Sequence, residues 1–145
     1  MENLSVSQFK KYNNLIGWFT FAIATLVYLL TIEPTASFWD CSEFIASGNK
    51  LEVGHPPGAP FFMLMVRFFT MFAPSPQWVP ILANSLSALA SSFTILFLFW
   101  TITYMARRIV SPKATEFTLT QVILILSSGF VGALAYTFSD TFWFS

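Results

Sequence analysis

The sequence predicts an all-α integral membrane protein with three transmembrane helices, and its composition is the first reason. Of 145 residues, 55% are hydrophobic and only 10% are charged, whereas a soluble domain carries about 25% charged residues. Three stretches, residues 15–32, 78–105 and 119–139, contain no Asp, Glu, Lys or Arg. Each reaches the roughly 18 to 20 residues that a helix needs to cross a hydrocarbon core about 30 Å thick.

A fourth apolar run, residues 60–73 ("PFFMLMVRFFTMFA"), is too short for a further span. As a helix it would be only about 21 Å long, and Arg67 stands in its middle. Its length and composition favour an interfacial helix, or a re-entrant piece, within the loop formed by residues 33–77.

The distribution of charge supports this topology. If residues 60–73 do not cross, the basic residues of one side are Lys10, Lys11, Arg107, Arg108 and Lys113. The other side contains the acids Glu33, Asp40, Glu43, Glu52 and Asp140, with only Lys50 and Arg67 as basic residues. The positive-inside rule then predicts a cytoplasmic N-terminus and an extracytoplasmic first loop. A cleaved signal peptide is the alternative for the N-terminus, but its apolar run is long and "EPTASF" is a poor cleavage site.

The net charge, the cysteine count and the end of the chain limit the classes of protein to which this sequence can belong. The net charge is zero and no basic block suggests nucleic acid. The single Cys41 cannot form an intramolecular disulfide. The chain ends on "YTFSDTFWFS", with no polar tail, so residues 1–145 are expected to be the N-terminal fragment of a longer membrane domain.

The first loop contains two acids in the short stretch "SFWDCSEF". Ser37 is predicted to cap a helix through "FWDCSEFIASGNK", with Asp40 in its third position and Gly48-Asn49 at its end. Asp40 and Glu43 then lie near each other on the helix. One interpretation is simple helix-start chemistry, since acids in a first turn stabilise the helix dipole. The other is a carboxylate that acts as a general base or a metal ligand at the membrane surface.

Other polar residues have two interpretations each. His55 is either a turn residue ahead of two prolines or part of a site, although its spacing to the acids is not typical of metal ligands. Arg67 is either a snorkelling cation or a partner for an anionic lipid-linked phosphate. Asp140 is either solvated at the interface or close to the Asp40 helix. Trp39 is predicted near the outer face.

Small residues follow helical spacing in two of the predicted spans. The series Asn84-Ala88-Ser92 lies in the second span, and Gly129 and Ala133 lie in the third. Such spacing is typical of helix–helix packing in membranes and needs no substrate.

The stretch "EPTASFWDCSEFIASGNKLEVGHPPGAPFFMLMVRFF" resembles a family of bacterial multi-pass membrane proteins. This family is common in Bacteroidetes, was once described only as a domain of unknown function and is now placed among GT-C glycosyltransferases. It is related to plexin-type protein O-mannosyltransferases. The family pattern is "PT-x-S-FWDCGEFI" followed by "L-x-VGHPPGAP", and Ser42 stands here where Gly is usual. "SDTFWFS" at the end also resembles the family.

The resemblance implies the N-terminal part of a GT-C-like fold with an acidic catalytic residue in the first extracytoplasmic loop. Asp40 and Glu43 are therefore the expected catalytic residues. "HPPG" resembles the "HPPL" of related protein O-mannosyltransferases. The expected substrate-binding residues are His55, Arg67, Trp39 and Asp140. Which of the two acids is the base stays open, as does a divalent metal as cofactor.

The expected function is transfer of a sugar from a polyprenyl-phosphate carrier to an acceptor, a Ser or Thr hydroxyl of a secreted or periplasmic protein. The expected location is the bacterial inner membrane, in contact with lipid, and the fragment alone is expected to be inactive. The alternatives are a transporter subunit and a membrane assembly or scaffold protein without chemistry. Transport is less favoured because the three spans contain no ionisable Asp, Glu, Lys or Arg.

Overall fold

Three long helices dominate the chain, as the apolar stretches predict. The structure is a computed structural model that describes residues 3–37, 40–56, 58–110 and 116–139. Within these ranges α1 (Val6–Leu30), α4 (Trp78–Val110) and α5 (Leu119–Thr137) are each long and apolar enough to cross a membrane. Two shorter helices, α2 (Cys41–Lys50) and α3 (Pro60–Thr70), lie in the first loop. The predicted fold class, a helical chain with three spans, is confirmed.

The chain also contains a small sheet that a strictly all-α prediction omits. Strand β1 (Asn3–Ser5) pairs antiparallel with β2 (Glu116–Thr118). Each strand leads directly into a long helix, β1 into α1 and β2 into α5. Three residues per strand are too few to show a period of two, which is why the sequence pattern did not reveal them.

Capping boxes define the starts of α1 and α5. The backbone N–H of Gln8 donates to Ser5 Oγ at 3.3 Å, and the Ser5 N–H donates to Gln8 Oε1 at 2.9 Å. Thr118 and Gln121 form the same reciprocal pair ahead of α5. Helix α1 therefore begins at Val6 rather than at residue 15, because hydropathy locates only the apolar part of a helix. For the same reason α4 continues past residue 105 to Val110.

The chain divides into two compact units, Met1–Val27 with Ser91–Ser145, and Tyr28–Ala90. In the first unit, helices approach closely at glycines. A Cβ added at Gly129 would lie 2.4 Å from Thr103 Cγ2, and Ala133 on the same face is fully buried. The predicted packing role of Gly129 and Ala133 is therefore confirmed. Arg107 lies over the rings of Phe9 and Phe117, at 5.8 and 5.3 Å from their centroids.

The second unit contains the short helices and the acidic loop. Its core consists of Ile45 from α2, Val66 from α3 and Ala83 from α4. Helices α2 and α3 meet at Gly48, where an added Cβ would lie 2.6 Å from Val66 Cγ1. Because Val is branched at Cβ, it cannot rotate away easily from such a contact. This apolar layer fixes α2, which carries the two acids, on α3.

We expect Gly129→Ala to destabilise the first unit, because its Cβ would meet the β-branched Thr103. Overpacking of this kind costs about 1–3 kcal/mol. Thermal unfolding of the detergent-solubilised protein, followed by size-exclusion chromatography, would show a lower midpoint. Ser127→Ala, at an exposed position on the same helix, is the control. Equal midpoints for both variants would contradict the close packing at Gly129.

Candidate functional site

Helix α2 begins later than the sequence suggested, and this changes the role of Asp40. The helix starts at Cys41 with Asp40 itself as the N-cap, so Ser37 does not cap it and Asp40 is not in its third position. Asp40 occupies the N-cap position that the sequence had assigned to the serine three residues upstream. However, the Asp40 side chain makes no cap hydrogen bond. The structure therefore gives no support to helix capping by its carboxylate.

The end of α2 also differs from the prediction. Gly48 and Asn49 lie inside the helix, which continues to Lys50 and ends at Leu51 in the left-handed conformation, with φ of 57°. Gly48 is needed for contact with Val66 rather than for a helix end. At this end Arg67 Nη1 donates a hydrogen bond of 2.7 Å to the carbonyl oxygen of Asn49. A cation near the last turn of a helix also complements its dipole.

The loop that follows α2 turns back and places His55 against Glu43. The backbone N–H of His55 donates to Glu43 Oε1 at 2.7 Å, and His55 Nδ1 lies 3.0 Å from Glu43 Oε2. Gly54 permits the approach, since a Cβ there would lie 3.3 Å from Glu43 Oε1. The ring of Phe44 meets the imidazole edge to face, with centroids 6.1 Å apart. Both oxygens of Glu43 therefore hold one residue, twelve positions along the chain.

This pair shifts the pKa of both partners. The hydrogen bond from the His55 backbone, with a further one from its ring, lowers the pKa of Glu43 from its usual 4.5. The hydrogen bond to Glu43, together with the charge of that carboxylate, raises the pKa of His55 from its usual 6.5. Each partner thus favours the charged form of the other. Both side chains remain substantially exposed to solvent, so screening moderates the strength of the pair.

Asp40 lies on the other side of the imidazole. Its Oδ2 is 3.8 Å from His55 Nε2, and its side chain is 62% exposed. Within the described ranges, Asp40, Glu43 and His55 form a group whose ligand atoms all lie within 4.8 Å of one another. Such a group can accept a proton, bind a hydroxyl or hold a cation. The sequence predicted all three as site residues, and the structure brings them together.

The other predicted site residues are not part of this cluster. Arg67 is on α3 and binds the Asn49 carbonyl, so contact with a phosphate stays a prediction. Trp39 and Asp140 lie outside the described residues, and their roles also stay predictions.

Asn84 has a role that its helical spacing with small residues did not indicate. Its Nδ2 donates to the carbonyl oxygens of Glu33 and Thr35 at 2.9 and 3.1 Å. Its Oδ1 lies 4.0 Å from Cys41 Sγ at the start of α2. Asn84 thus connects α4 both to the chain that follows α1, at Glu33 and Thr35, and to the start of α2 at Cys41. The sequence signal for this role is an Asn within an apolar span, because such an amide usually forms a hydrogen bond to another part of the protein.

An apolar groove of about 430 Å³ adjoins the cluster through Gly54. The loop after α2 and the start of α3 form its walls, and the lining includes Leu51, Val53, Pro60, Met63 and Leu64. Val53 is 99% exposed. Apolar side chains therefore remain uncovered directly beside the charged group.

Comparison with known proteins identifies relatives of this chain. Residues 40–145 match the family model "Protein O-mannosyl-transferase TMEM260 N-terminal domain". The chain is also 28% identical over 125 residues to "Protein O-mannosyl-transferase tmem260" of Dictyostelium discoideum, which covers 85% of this chain. It spans about 13% of the length of that relative. No solved structure matches the chain.

We expect the His55 imidazole to titrate above its usual pKa of 6.5, and Glu43→Gln to return the titration towards that value. Because the contact with Glu43 raises the pKa of His55, protonated His55 stabilises the fold below pH 6.5. This stabilisation is lost as the pH rises through the pKa of His55 in the folded protein. The pKa of Glu43 is lowered, so ionised Glu43 stabilises the fold above pH 4.5. The pair therefore contributes most to the stability of the fold between pH 4.5 and pH 6.5.

NMR of imidazole-labelled protein tests this expectation, since His55 is the single histidine of the chain. The protein must carry a purification tag without histidine. Glu52→Gln, which removes an exposed acid paired with Lys50, is the control. An unchanged His55 titration in Glu43→Gln would disprove the contact.

Proposed function

The chain belongs to the family of the Protein O-mannosyl-transferase TMEM260 N-terminal domain, and we propose that the whole protein is a membrane glycosyltransferase that modifies proteins. The observation that carries this proposal is Asp40, an exposed carboxylate without a cap hydrogen bond, beside the Glu43–His55 pair. The chain is a small part of its relative's length, so the activity belongs to the full-length protein rather than to this fragment.

In this proposal Asp40 is the general base. It takes the proton from an acceptor hydroxyl, and the hydroxyl oxygen attacks the anomeric carbon of the sugar. The bond between that carbon and the leaving phosphate breaks, and the phosphate departs with the electron pair. The acceptor is a Ser or Thr side chain of a secreted or periplasmic protein. The relative's name makes mannose the first sugar to test.

The contacts of the two acids favour Asp40 over Glu43 in this role. Both Glu43 oxygens accept hydrogen bonds from His55, and these lower the pKa of its carboxyl. With both oxygens held by His55, Glu43 has neither oriented towards an acceptor hydroxyl. Asp40 has neither contact and faces solvent. We therefore assign proton removal to Asp40 and the positioning of the loop to Glu43.

The proposed donor is a sugar on a polyprenyl phosphate. The apolar groove beside Gly54 supports this choice, because an isoprenoid chain needs apolar surface next to the reacting end. His55 and Arg67, with Trp39 and Asp140, are the proposed contacts to donor and acceptor. The proposal includes a GT-C-like fold in a bacterial inner membrane, with the N-terminus in the cytoplasm and the first loop on the extracytoplasmic side.

We expect Asp40→Asn in the full-length protein to reduce sugar transfer by about 10²–10⁴-fold, the usual contribution of a general base. Because the Asp40 side chain makes no cap hydrogen bond, the nearly isosteric Asn removes the charge without loss of a cap contact, and α2 should remain folded. Intact-mass spectra of secreted proteins from cells with native or variant enzyme provide the measurement, after membrane levels have been matched. The expected result is loss of hexose-sized mass increments.

Glu33→Gln is the control for this experiment, because Glu33 is an exposed acid of the same loop whose side chain contacts Thr35 and does not line the groove. If hexose increments are present in native cells and persist in Asp40→Asn, Asp40 is not the base. If native cells show no increments at all, the assignment to protein glycosylation fails, and a scaffold or transporter subunit becomes the better explanation.

We also expect the purified full-length protein to use a lipid-linked donor. Secreted proteins from the Asp40→Asn strain provide unmodified acceptors. Incubation with polyprenyl-phosphate mannose should add hexose to them, whereas nucleotide-linked mannose should not, because its diphosphate leaving group carries no apolar chain for the groove. Transfer from the nucleotide sugar alone would contradict the proposed donor.

A further inference from the structure

His55 Nε2 and Asp40 Oδ2 lie at a separation that one shared cation can span. His55 Nε2 and Asp40 Oδ2 are 3.8 Å apart, which is longer than a hydrogen bond of about 2.7–3.2 Å. Two metal–ligand bonds of about 2.1 Å can bridge this distance with a bond angle of roughly 130°. The separation of the two atoms is therefore compatible with joint ligation of one cation.

Glu43 prepares the imidazole for such a role. An ionised carboxylate only accepts hydrogen bonds, so His55 Nδ1, at 3.0 Å from Glu43 Oε2, must carry its proton. In the neutral ring the lone pair is then on Nε2, the nitrogen that faces Asp40. Histidines that bind metals are typically oriented in this way by a carboxylate on the other ring nitrogen. Because Glu43 Oε1 also binds the His55 backbone N–H, the ring cannot easily turn away.

We propose that Asp40 and His55 bind a divalent transition-metal cation through Oδ2 and Nε2, with Glu43 as the residue that orients His55. Asp40 lies at the start of α2, and His55 lies in the loop that follows the end of α2. Both ligand atoms lie on exposed side chains, so a cation can enter from solvent.

The ligand types select among cations. One imidazole nitrogen and one carboxylate oxygen suit Mn²⁺, Co²⁺ or Zn²⁺, whereas Mg²⁺ and Ca²⁺ prefer oxygen ligands alone. The nearby thiol does not complete a softer site, since Cys41 Sγ lies against Asn84 Oδ1. Two protein ligands leave most coordination positions open to water or to oxygens of another molecule.

The role of this cation rests on the proposed function. Its open positions would accept oxygens of the donor phosphate, and its charge would stabilise the negative charge that develops as the phosphate leaves. Asp40 has a second oxygen, Oδ1, which remains available for the proton of the acceptor hydroxyl. Cation binding itself requires only the three side chains and is measured without any sugar transfer.

The test uses the purified full-length protein, stripped with a chelator, and titrated with Mn²⁺ while electron paramagnetic resonance reports the free ion. We expect saturable binding that Zn²⁺ displaces and that a similar concentration of Mg²⁺ does not. His55→Ala and Asp40→Asn should each abolish the site. Glu43→Gln should weaken it by about 10–100-fold, and Glu52→Gln should leave it unchanged.

Folding is controlled by the design of the variants. His55→Ala removes the ring but keeps the backbone N–H that Glu43 binds, and unfolding midpoints in chelator identify any variant that is misfolded. Absence of saturable Mn²⁺ binding, or binding that survives both His55→Ala and Asp40→Asn, would overturn the proposal. Transfer that depends on Asp40 but continues in chelator would refute the cation's catalytic role and leave the proposed function intact. Site-specific binding without any transfer would support the metal site while the proposed function fails.

Discussion

The double hydrogen bond between Glu43 and His55 is the interaction on which the site depends. One carboxylate binds the backbone N–H and the ring nitrogen of the same residue. It therefore fixes both the path of the loop after α2 and the orientation of the imidazole. Without it the only histidine of the chain would be a solvent-exposed turn residue. With it, the histidine faces Asp40 at a defined distance.

This interaction needs a rigid support, which the packing of the second unit provides. Gly48 allows Val66 to approach α2, and Arg67 binds the last turn of the helix through the Asn49 carbonyl. Asn84 holds the segment before α2 by two backbone carbonyls. These contacts restrain α2 at its start, middle and end. The two acids are consequently held by an apolar layer and backbone hydrogen bonds rather than by each other.

The two acids of the FWDCSEF motif have different environments. Glu43 binds the backbone and the ring of His55, and these contacts lower the pKa of its carboxyl. Asp40, in contrast, is exposed and makes no cap hydrogen bond. One acid can therefore position while the other reacts or binds. The proposed base and the proposed cation site share one residue, because both use the oxygens of Asp40. The different environments of the two acids explain why replacing either acid should disturb the site in a distinguishable way.

Much of this protein was determined by its sequence alone. The apolar length of α1, α4 and α5 requires helices that bury their backbone polar groups. The FWDCSEF and VGHPPGAP motifs predicted Asp40, Glu43 and His55 as site residues. The short sheet and the starts of α1 and α2 were missed or misplaced, because they depend on a few hydrogen bonds and not on periodicity. Only the tertiary structure decided that His55 pairs with Glu43 and that Asn84 holds the first loop. These contacts join residues 12 and about 50 positions apart, and nothing in local spacing encodes which distant polar groups the folded backbone brings within hydrogen-bond reach.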